Sequence, residues 1–230
     1  MKTIGVIGGI GPQATMEFEA RVHRVSQRLI PPHINHGYPP MVVWYCRHAP
    51  VLITESGAPQ LPIRPDPRLF EVARKLGDLC DLLVMTSNSV HLFHAEVEKA
   101  AGKRILSMID STLTEVRRRG WKRVGVLGLG DPVVYTRPLG EMGMGFETVS
   151  GGTRDALDAA IFRVMEGREE SKSSEALRNA MAELRGREVD GIVLGCTELP
   201  VLYGSSVDDE QGIINPTQVL AEAAVRTAMA

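Results

Sequence analysis

Short apolar runs alternate with helical patterns along this chain of 230 residues. The runs are rich in Val, Ile and Leu, which is typical of buried parallel strands that are apolar on both faces. They lie at Thr3–Ile7, Met41–Tyr45, Leu82–Met85, Ile105–Met108, Arg123–Leu127 and Gly191–Leu194. Three helical segments have N-cap signals, at Asp66-Pro67, at Asn215-Pro216, and at Ser173 or Ser174 before Glu175–Arg185. The alternation predicts an α/β fold.

The chain contains a short internal repeat. TIGVIGGIGP near the start resembles KRVGVLGLGDP at Lys122–Pro132, and each consists of an apolar strand followed by a glycine-rich turn. The repeat predicts two doubly wound domains, although one larger sheet fits the pattern equally well. Two long proline-rich stretches, Ile30–Pro40 and Thr54–Pro67, interrupt the alternation and are candidate lids.

Composition excludes several functional classes. A formal charge of −2 with scattered basic residues gives no basic stripe for nucleic acid. The chain has neither a signal-peptide core nor the ~18 apolar residues of a membrane span, so we expect a cytoplasmic protein that does not contact membranes. Its three cysteines, Cys46, Cys80 and Cys196, are widely spaced and lack a CxxC pair. We therefore expect no disulfide framework and no metal.

The glycine-rich turn at Gly8-Gly9-Ile10-Gly11 is a weak nucleotide-binding signal. It lacks the last glycine of GxGxxG, and no Walker lysine follows it. A tight turn that contacts a carboxylate explains it as well, so no nucleotide cofactor is predicted.

Two polar segments follow apolar strands, TSNSVH at Thr86–His91 and GCTELP at Gly195–Pro200. In a doubly wound sheet, ligands bind at these carboxyl ends of the strands. Each segment offers a nucleophile-type side chain followed by hydroxyl or amide groups. Together they predict a pocket for a small carboxylic acid.

Cys196 is the cysteine with the strongest chemical signal. A thiol has a pKa of about 8.5, and polar neighbours or a helix N-terminus lower it, so we expect a Cys196 thiolate at neutral pH. A lone cysteine after a strand is more often a small buried apolar residue, and Cys46 and Cys80 are interpreted in that way. Thr197 and Glu198, which follow Cys196 directly, favour the functional interpretation.

Three motifs in order resemble the aspartate/glutamate racemase superfamily: GGxGPxAT at the start, [S/C]N[S/T]xH after the third strand, and GCTE in the last third. The resemblance covers essentially the whole chain. It implies two pseudo-symmetric Rossmann-like halves with parallel sheets, the active site in the cleft between them, and a C-terminal helix that returns to the first half. The expected domains are 1–112 with 213–230, and 113–212. The resemblance also implies a homodimer.

The resemblance further implies racemisation without a cofactor, by one cysteine from each half acting on opposite faces of the substrate α-carbon. By position Cys196 is the second cysteine, and Ser87 stands where the first is expected. The carried-over substrate-binding residues are Gly11, Asn88, Ser89 and Thr197, and the polar residues that flank the two thiols are His91 and Glu198. A capping or core role for His91, and a cap or ion pair for Glu198, remain alternatives.

The chain departs from the family pattern in several places. A Ser87 hydroxyl is a far weaker acid than a thiol, and Thr86 is a second candidate hydroxyl at the same strand end. Leu129 replaces a threonine that is usual after the corresponding strand, and Asn215 stands where aspartate is common. Acidic amino acids are therefore not assumed as substrates. Arg47 is interpreted as a surface residue.

Three functions remain open. The favoured one is an amino-acid racemase or epimerase with an asymmetric pair of Cys196 and Ser87, or Cys196 and Thr86. The second is a single-cysteine enzyme of a small carboxylic acid, similar to arylmalonate decarboxylases or maleate isomerases, and Leu129 is compatible with the apolar pocket that such a decarboxylase needs. The third is a carboxylate-binding protein without catalysis.

Overall fold

The computed structural model describes residues 1–55, 60–168 and 171–230. The chain divides into two compact units, Met1–Ser107 with Leu220–Ala230, and Met108–Val219. Each unit has its own four-stranded sheet, in which all strand pairs are parallel. This confirms the predicted α/β fold with two domains and excludes one larger sheet. The domain limits and the active-site cleft stay predictions.

The first unit has the strand order β2-β1-β3-β4. Its strands are β1 (Ile4–Gly8), β2 (Met41–Tyr45), β3 (Leu82–Met85) and β4 (Ile105–Leu106), and its helices are α1 (Pro12–Leu29), α2 (Pro67–Leu79) and α3 (His94–Ala101). Short 3-10 segments lie at Asn35–Gly37 and Ser89–Phe93.

The second unit repeats this order as β6-β5-β7-β8. Its elements are α4 (Met108–Arg118), β5 (Arg123–Leu127), α5 (Val133–Glu141), β6 (Gly145–Thr148), α6 (Gly151–Met165), α7 (Ser171–Arg185), β7 (Gly191–Leu194), α8 (Leu199–Tyr203) and β8 (Ile213–Ile214). A last helix, α9 (Pro216–Met229), starts in this unit, but its residues from Leu220 onward belong to the first.

The central strands are apolar throughout because both faces of each sheet are buried. In β7, Ile192 and Leu194 belong to a core cluster with α6, α7 and α8, whereas Val193 belongs to a cluster with α4 and α5. Successive side chains of a strand point to opposite faces, so the sheet lies between two helical layers.

Two predicted helix starts are confirmed and one is wrong. The Asp66 carboxylate accepts a hydrogen bond from the Arg68 N–H (2.9 Å), and the Asn215 side chain accepts one from the Thr217 N–H (3.1 Å). Helix α7, in contrast, begins at Ser171, so Ser173 and Ser174 lie inside its first turn. A single serine in a run of serines marks the cap poorly, because each of them offers the same hydroxyl.

The two proline-rich stretches are irregular where they are described. In the first, Asn35 and His36 adopt left-handed conformations with φ of 46° and 54°. In the second, residues 56–59 lie outside the described residues. Val51 and Pro65 form an antiparallel bridge, and the Leu52 N–H donates to the Arg64 carbonyl at 2.9 Å. A lid function for either stretch stays a prediction.

None of the helices in the described part of the chain combines the length and apolar character needed to cross a membrane.

Candidate active site

In each unit, a glycine-rich turn and a polar motif follow two neighbouring strands. The turn follows β1 and the SNS segment follows β3 in the first unit, whereas in the second unit the GLGDP turn follows β5 and GCTE follows β7. Because the paired strands are parallel and in register, turn and motif emerge side by side at the carboxyl edge of each sheet.

The glycine-rich turn of the first unit is closely packed. The Gly9 N–H donates to Thr15 Oγ1 at 2.8 Å. A Cβ atom on Gly8 would lie 2.6 Å from Thr15 Cγ2, and one on Gly9 would lie 2.6 Å from the Cys46 nitrogen. Gly11, with φ 81°, is the N-cap residue of α1. The first two glycines are therefore required for the close approach of α1 and of the end of β2.

Thr86 is held beside this turn by two hydrogen bonds. Its Oγ1 lies 2.9 Å from Thr15 Oγ1, its N–H donates to the Ile7 carbonyl at 3.2 Å, and its side chain is fully buried. The hydroxyl thereby connects the carboxyl end of β3 to the start of α1.

Ser87 lies one residue further on, in a tight bend. Its Oγ is 3.4 Å from Ser89 Oγ, and its carbonyl is 2.8 Å from His91 Nδ1. A carbonyl only accepts hydrogen bonds, so Nδ1 carries a proton in this contact. The His91 N–H also donates to the Asn88 carbonyl at 3.0 Å. The histidine therefore holds the bend in shape, with its ring stacked on His94 at 5.7 Å.

In the second unit, a carboxylate interacts directly with the Cys196 thiol. Cys196 Sγ donates to Glu198 Oε2 at 3.0 Å, and Thr197 Oγ1 donates to the same oxygen at 3.1 Å. Glu198 is only 4% exposed, and Cys196 is half-buried. Three consecutive residues of the GCTE motif thus form one hydrogen-bonded cluster.

The electrostatics of this cluster contradict one expectation. Burial raises the pKa of the Cys196 thiol well above its usual value, and the charge of Glu198 raises it further. Burial also raises the pKa of the Glu198 carboxyl, although its hydrogen bonds from Cys196 and Thr197 oppose that shift. The prediction that the surroundings of Cys196 lower its pKa and give a thiolate at neutral pH is therefore wrong, because the sulfur is buried and the neighbouring charge of Glu198 is negative.

Backbone amides act in the opposite direction on the sulfur. Hydrogen bonds from the backbone N–H groups of Glu198 and Leu129 lower the pKa of the Cys196 thiol. Leu129 belongs to the turn after β5, and its side chain is 40% exposed. The replacement of a threonine at this position therefore leaves the backbone contact to the sulfur in place.

Tyr135 on α5 is a further neighbour that the sequence did not reveal. It is fully buried, and burial raises the pKa of its phenol, whose hydroxyl forms a hydrogen bond with Thr112. The charge of Cys196 raises the pKa of this phenol further. A Cβ atom on Gly195 would lie 3.0 Å from Tyr135 Cδ2, so the tyrosine ring packs directly against the residue before the cysteine.

The other two cysteines are free and buried, as predicted. Within the described ranges, no group of three or more His, Cys, Asp or Glu side chains is arranged to hold a metal ion.

The sequence profile of Asp/Glu/hydantoin racemases matches residues 7–224. The chain belongs to this family. Membership confirms the predicted family and the prediction that the protein is an enzyme of the isomerase class. The roles assigned to single residues stay predictions.

Individual racemase relatives agree with this membership. The chain is 24% identical to the broad specificity amino-acid racemase RacX of Bacillus subtilis (strain 168), over 99% of this chain and 98% of RacX. The aspartate racemase of Picrophilus torridus has a TM-score of 0.79 at 22% identity, covering 100% of this chain and 95% of that one. An aspartate racemase homologue from Pyrococcus horikoshii OT3 has a TM-score of 0.74 at 20% identity, with both chains fully covered. At these identities the two solved structures show a shared fold.

Proposed function

We propose that this family member is a cofactor-independent amino-acid racemase or epimerase, in which Cys196 and a hydroxyl of the first unit move the substrate α-proton. The observation that carries the proposal is the buried Glu198 carboxylate 3.0 Å from the Cys196 thiol. A carboxylate in this position can take the thiol proton and return it, so that Cys196 alternates between base and acid.

The same carboxylate supports an amino acid as the substrate. Both side chains that donate to Glu198, those of Cys196 and Thr197, are neutral, and no salt bridge to Glu198 forms among the residues that the structure describes. A substrate ammonium group near this cluster would favour the charged forms and lower the pKa of both the thiol and the carboxyl. Substituted malonates lack that positive charge. The buried carboxylate therefore favours racemisation over decarboxylation.

The second proton-transfer group is proposed to be Ser87 rather than Thr86. Thr86 is fully buried and hydrogen-bonded to Thr15, whereas the hydroxyl of Ser87 lies at the long distance of 3.4 Å from that of Ser89. A serine hydroxyl is too weak an acid to act as a matched base at neutral pH, so its proton would pass through water or His91. We expect unequal rates in the two directions.

Substrate binding is proposed to follow the family pattern, with Gly11, Asn88, Ser89 and Thr197 holding the α-carboxylate. RacX is named a broad specificity racemase. Because Leu129, in the turn after β5, has an exposed apolar side chain where the family has a threonine, we propose a substrate range that includes apolar amino acids. A cytoplasmic homodimer is part of the same proposal.

The test is α-proton exchange. The protein is incubated with a panel of L- and D-amino acids in D2O, and loss of the α-proton is followed by NMR together with chiral analysis. We expect exchange and inversion with the unmodified chain and with a Cys80→Ala control, a loss of at least 100-fold with Cys196→Ala, and a higher rate with Ser87→Cys.

The other outcomes separate the alternatives. Exchange without inversion would mean that only Cys196 transfers protons. If no amino acid exchanges, the racemase proposal is wrong. Substituted malonates and maleate then test the single-cysteine alternative, and carboxylate binding without turnover would indicate a binding protein.

A further inference from the structure

Strand β8 ends beside the strand that leads to Cys196. Strands β7 and β8 are parallel, and Ile214 at the end of β8 is paired with Val193. Asn215, the next residue, therefore lies at the same carboxyl edge of the sheet as the GCTE motif. It is almost fully buried, and it is one of the positions at which this chain departs from the family pattern. The proposed proton transfer gives its side chain no role.

The Asn215 side chain forms two hydrogen bonds of opposite direction. Its Oδ1 accepts from the Thr217 N–H at 3.1 Å and so caps α9, whereas its Nδ2 donates to Asp208 Oδ1 at 2.9 Å. Asparagine can form both bonds because it carries an acceptor oxygen and a donor nitrogen. An aspartate would retain the cap but would repel the Asp208 carboxylate. The asparagine therefore connects the end of β8 to a segment that lies earlier in the chain.

That earlier segment continues directly from the GCTE motif. Asp208 lies in a 3-10 turn, Ser205–Asp209, which follows α8. Backbone hydrogen bonds connect the motif to this turn without a break: they run from the N–H of Leu199 to the carbonyl of Cys196 (3.1 Å), from Val201 to Glu198 (3.1 Å), from Gly204 to Pro200 (3.1 Å) and from Val207 to Gly204 (3.3 Å). The hydrogen bond to Asp208 thus holds the far end of a continuously bonded path.

The thiol and the carboxylate of the motif lie at opposite ends of a short connection. Cys196 comes two residues after β7, whereas Glu198 is the N-cap residue of α8. The 3.0 Å distance between the Cys196 sulfur and Glu198 Oε2 is therefore set by the position of α8 relative to the sheet. Because β8 is part of that sheet, a bond from its end to the turn after α8 restrains this position.

We propose that Asn215 and Asp208 are positioning residues for the Glu198 carboxylate. They hold the turn after α8 against the end of β8, and so keep the carboxylate beside the thiol. The proposal rests on the proposed function only in taking the thiol and carboxylate as the groups that carry the proton. Its physical content is the distance between these two groups, which can be probed without turnover.

Release of the turn should make the thiolate easier to form. A negative charge close to a thiol disfavours its ionisation, so a Glu198 carboxylate that moves away into water no longer has this effect. Alkylation of Cys196 should then have a lower pH midpoint, whereas α-proton exchange should slow. The Tyr135 phenol on α5, whose ring packs against Gly195, is a second titratable group near this strand end and is unchanged by the substitutions.

The experiment compares Asp208→Ala, Asn215→Asp and the double variant Asp208→Asn/Asn215→Asp. In the double variant, the amide at position 208 donates to the carboxylate at position 215, so the hydrogen bond is restored in the reverse direction and the α9 cap is retained. Asp209→Ala removes an exposed aspartate of the same turn and is the matched control. The rate of iodoacetamide alkylation at Cys196 is measured across pH by mass spectrometry of the peptide that contains it.

We expect both single variants to lower the alkylation midpoint by about 0.5 pH units or more and to slow α-proton exchange about fivefold or more. The double variant and Asp209→Ala should stay within about 0.2 units of the unmodified chain. Asp208→Ala removes a negative charge and Asn215→Asp adds one. A lower midpoint in both variants therefore arises from the lost hydrogen bond and not from the change in net charge.

Glu198→Gln shows whether the pair acts through the carboxylate. Glutamine carries no charge to displace, so Asp208→Ala should cause no further shift of the midpoint in that variant. The proposal is overturned if both single variants keep the midpoint of the unmodified chain, if the double variant does not restore it, or if Asp208→Ala shifts it equally with and without Glu198. If Asn215→Asp does not fold, Asp208→Ala, which leaves the α9 cap intact, decides alone. A shifted midpoint in a protein that exchanges no amino acid would support the positioning role and reject the racemase.

Discussion

Glu198 determines the chemistry of Cys196 at the level of single residues. Its carboxylate accepts a hydrogen bond from the Cys196 thiol, yet its negative charge disfavours ionisation of that thiol. The two effects are reconciled if a cationic substrate group arrives before proton transfer, since that charge offsets the carboxylate. The resting enzyme would then hold Cys196 as a protected thiol, which reacts slowly with alkylating agents and oxidants.

Glu198→Gln tests this balance. Glutamine retains a side-chain acceptor but carries no charge, so we expect the pKa of the Cys196 thiol to fall by about one unit or more and alkylation at pH 7 to accelerate. Amino-acid exchange should slow at the same time, with KM raised about tenfold by the lost attraction for the ammonium group. Glu166→Gln, at the exposed end of α6, is the control. An unchanged alkylation profile would contradict this view of the charge.

The roles of the Thr86 and Ser87 hydroxyls are distinguished by one substitution at each residue. Thr86→Val keeps the shape but removes the hydroxyl that is bonded to Thr15, and we expect it to lower the free energy of unfolding by about 1–2 kcal/mol. Ser87→Ala should change stability by less than about 0.5 kcal/mol, while it slows inversion of the substrate. Urea unfolding and chiral analysis measure the two effects. A stable Thr86→Val variant that no longer inverts substrate would make Thr86 the proton carrier.

At the level of elements, the best-defined helix start is that of α2. Asp66 accepts from the Arg68 N–H and from two atoms of the Arg68 guanidinium, and these bonds lower the pKa of Asp66 to about 2. A lowered pKa in the folded state means that the ionised Asp66 carboxylate stabilises the folded chain. This stabilisation is fully present above the unfolded pKa of about 3.9 and is lost as the pH falls through about 2.

Asp66→Ala is therefore expected to lower the free energy of unfolding at pH 7 by about 1 kcal/mol, and the difference from the unmodified chain should shrink below pH 4. Asp66→Asn retains the cap and should lose less. Thermal unfolding between pH 2.5 and pH 7 gives both values. A difference that stays constant with pH would show that the carboxylate charge contributes nothing.

The sequence predicted most elements because their signals are local. The apolar runs at Met41–Tyr45, Leu82–Met85, Arg123–Leu127 and Gly191–Leu194 coincide with strands. Strand β6 was missed because GFET is short, partly polar and at the sheet edge, and β8 has only two residues.

Within the site, the motifs identified the polar cluster around Cys196, but neither the Leu129 N–H nor Tyr135. Both contacts join residues about 60 positions apart, so no local pattern reports them. The thiol pKa was predicted in the wrong direction for a related reason. Burial decides that pKa, and burial depends on the packing of the whole unit.

At the level of the whole molecule, the first unit depends on the last helix. Leu220, Ala221, Ala224, Val225 and Ala228 of α9 are fully buried, and the Lys2 N–H donates to the Ala228 carbonyl at 2.8 Å. These residues belong to the unit that contains β1 to β4. A charge in this helix should therefore damage the first unit in particular.

Ala224→Asp places a carboxylate in that core at a cost of several kcal/mol. We expect hydrogen exchange, measured by mass spectrometry, to accelerate in β1 and β3 and to remain slow in β5 and β7. Gln218→Asp, near the start of the same helix but within the second unit, is the comparison. If all four strands lose protection together in Ala224→Asp, the two units unfold as one.

The connection between the units has a consequence for the order in which they are completed. Helix α4 follows β4 but belongs to the second unit, whereas the end of α9 follows β8 but belongs to the first. During synthesis, α4 of the second unit is made before the strands of that unit, so its sheet and α4 are complete once β8 emerges. The strands made first must wait on the order of ten seconds for the residues that seal their core. A nascent chain therefore carries an unfinished apolar surface on its first unit until the end of α9 has been synthesised, and aggregation is favoured during that interval.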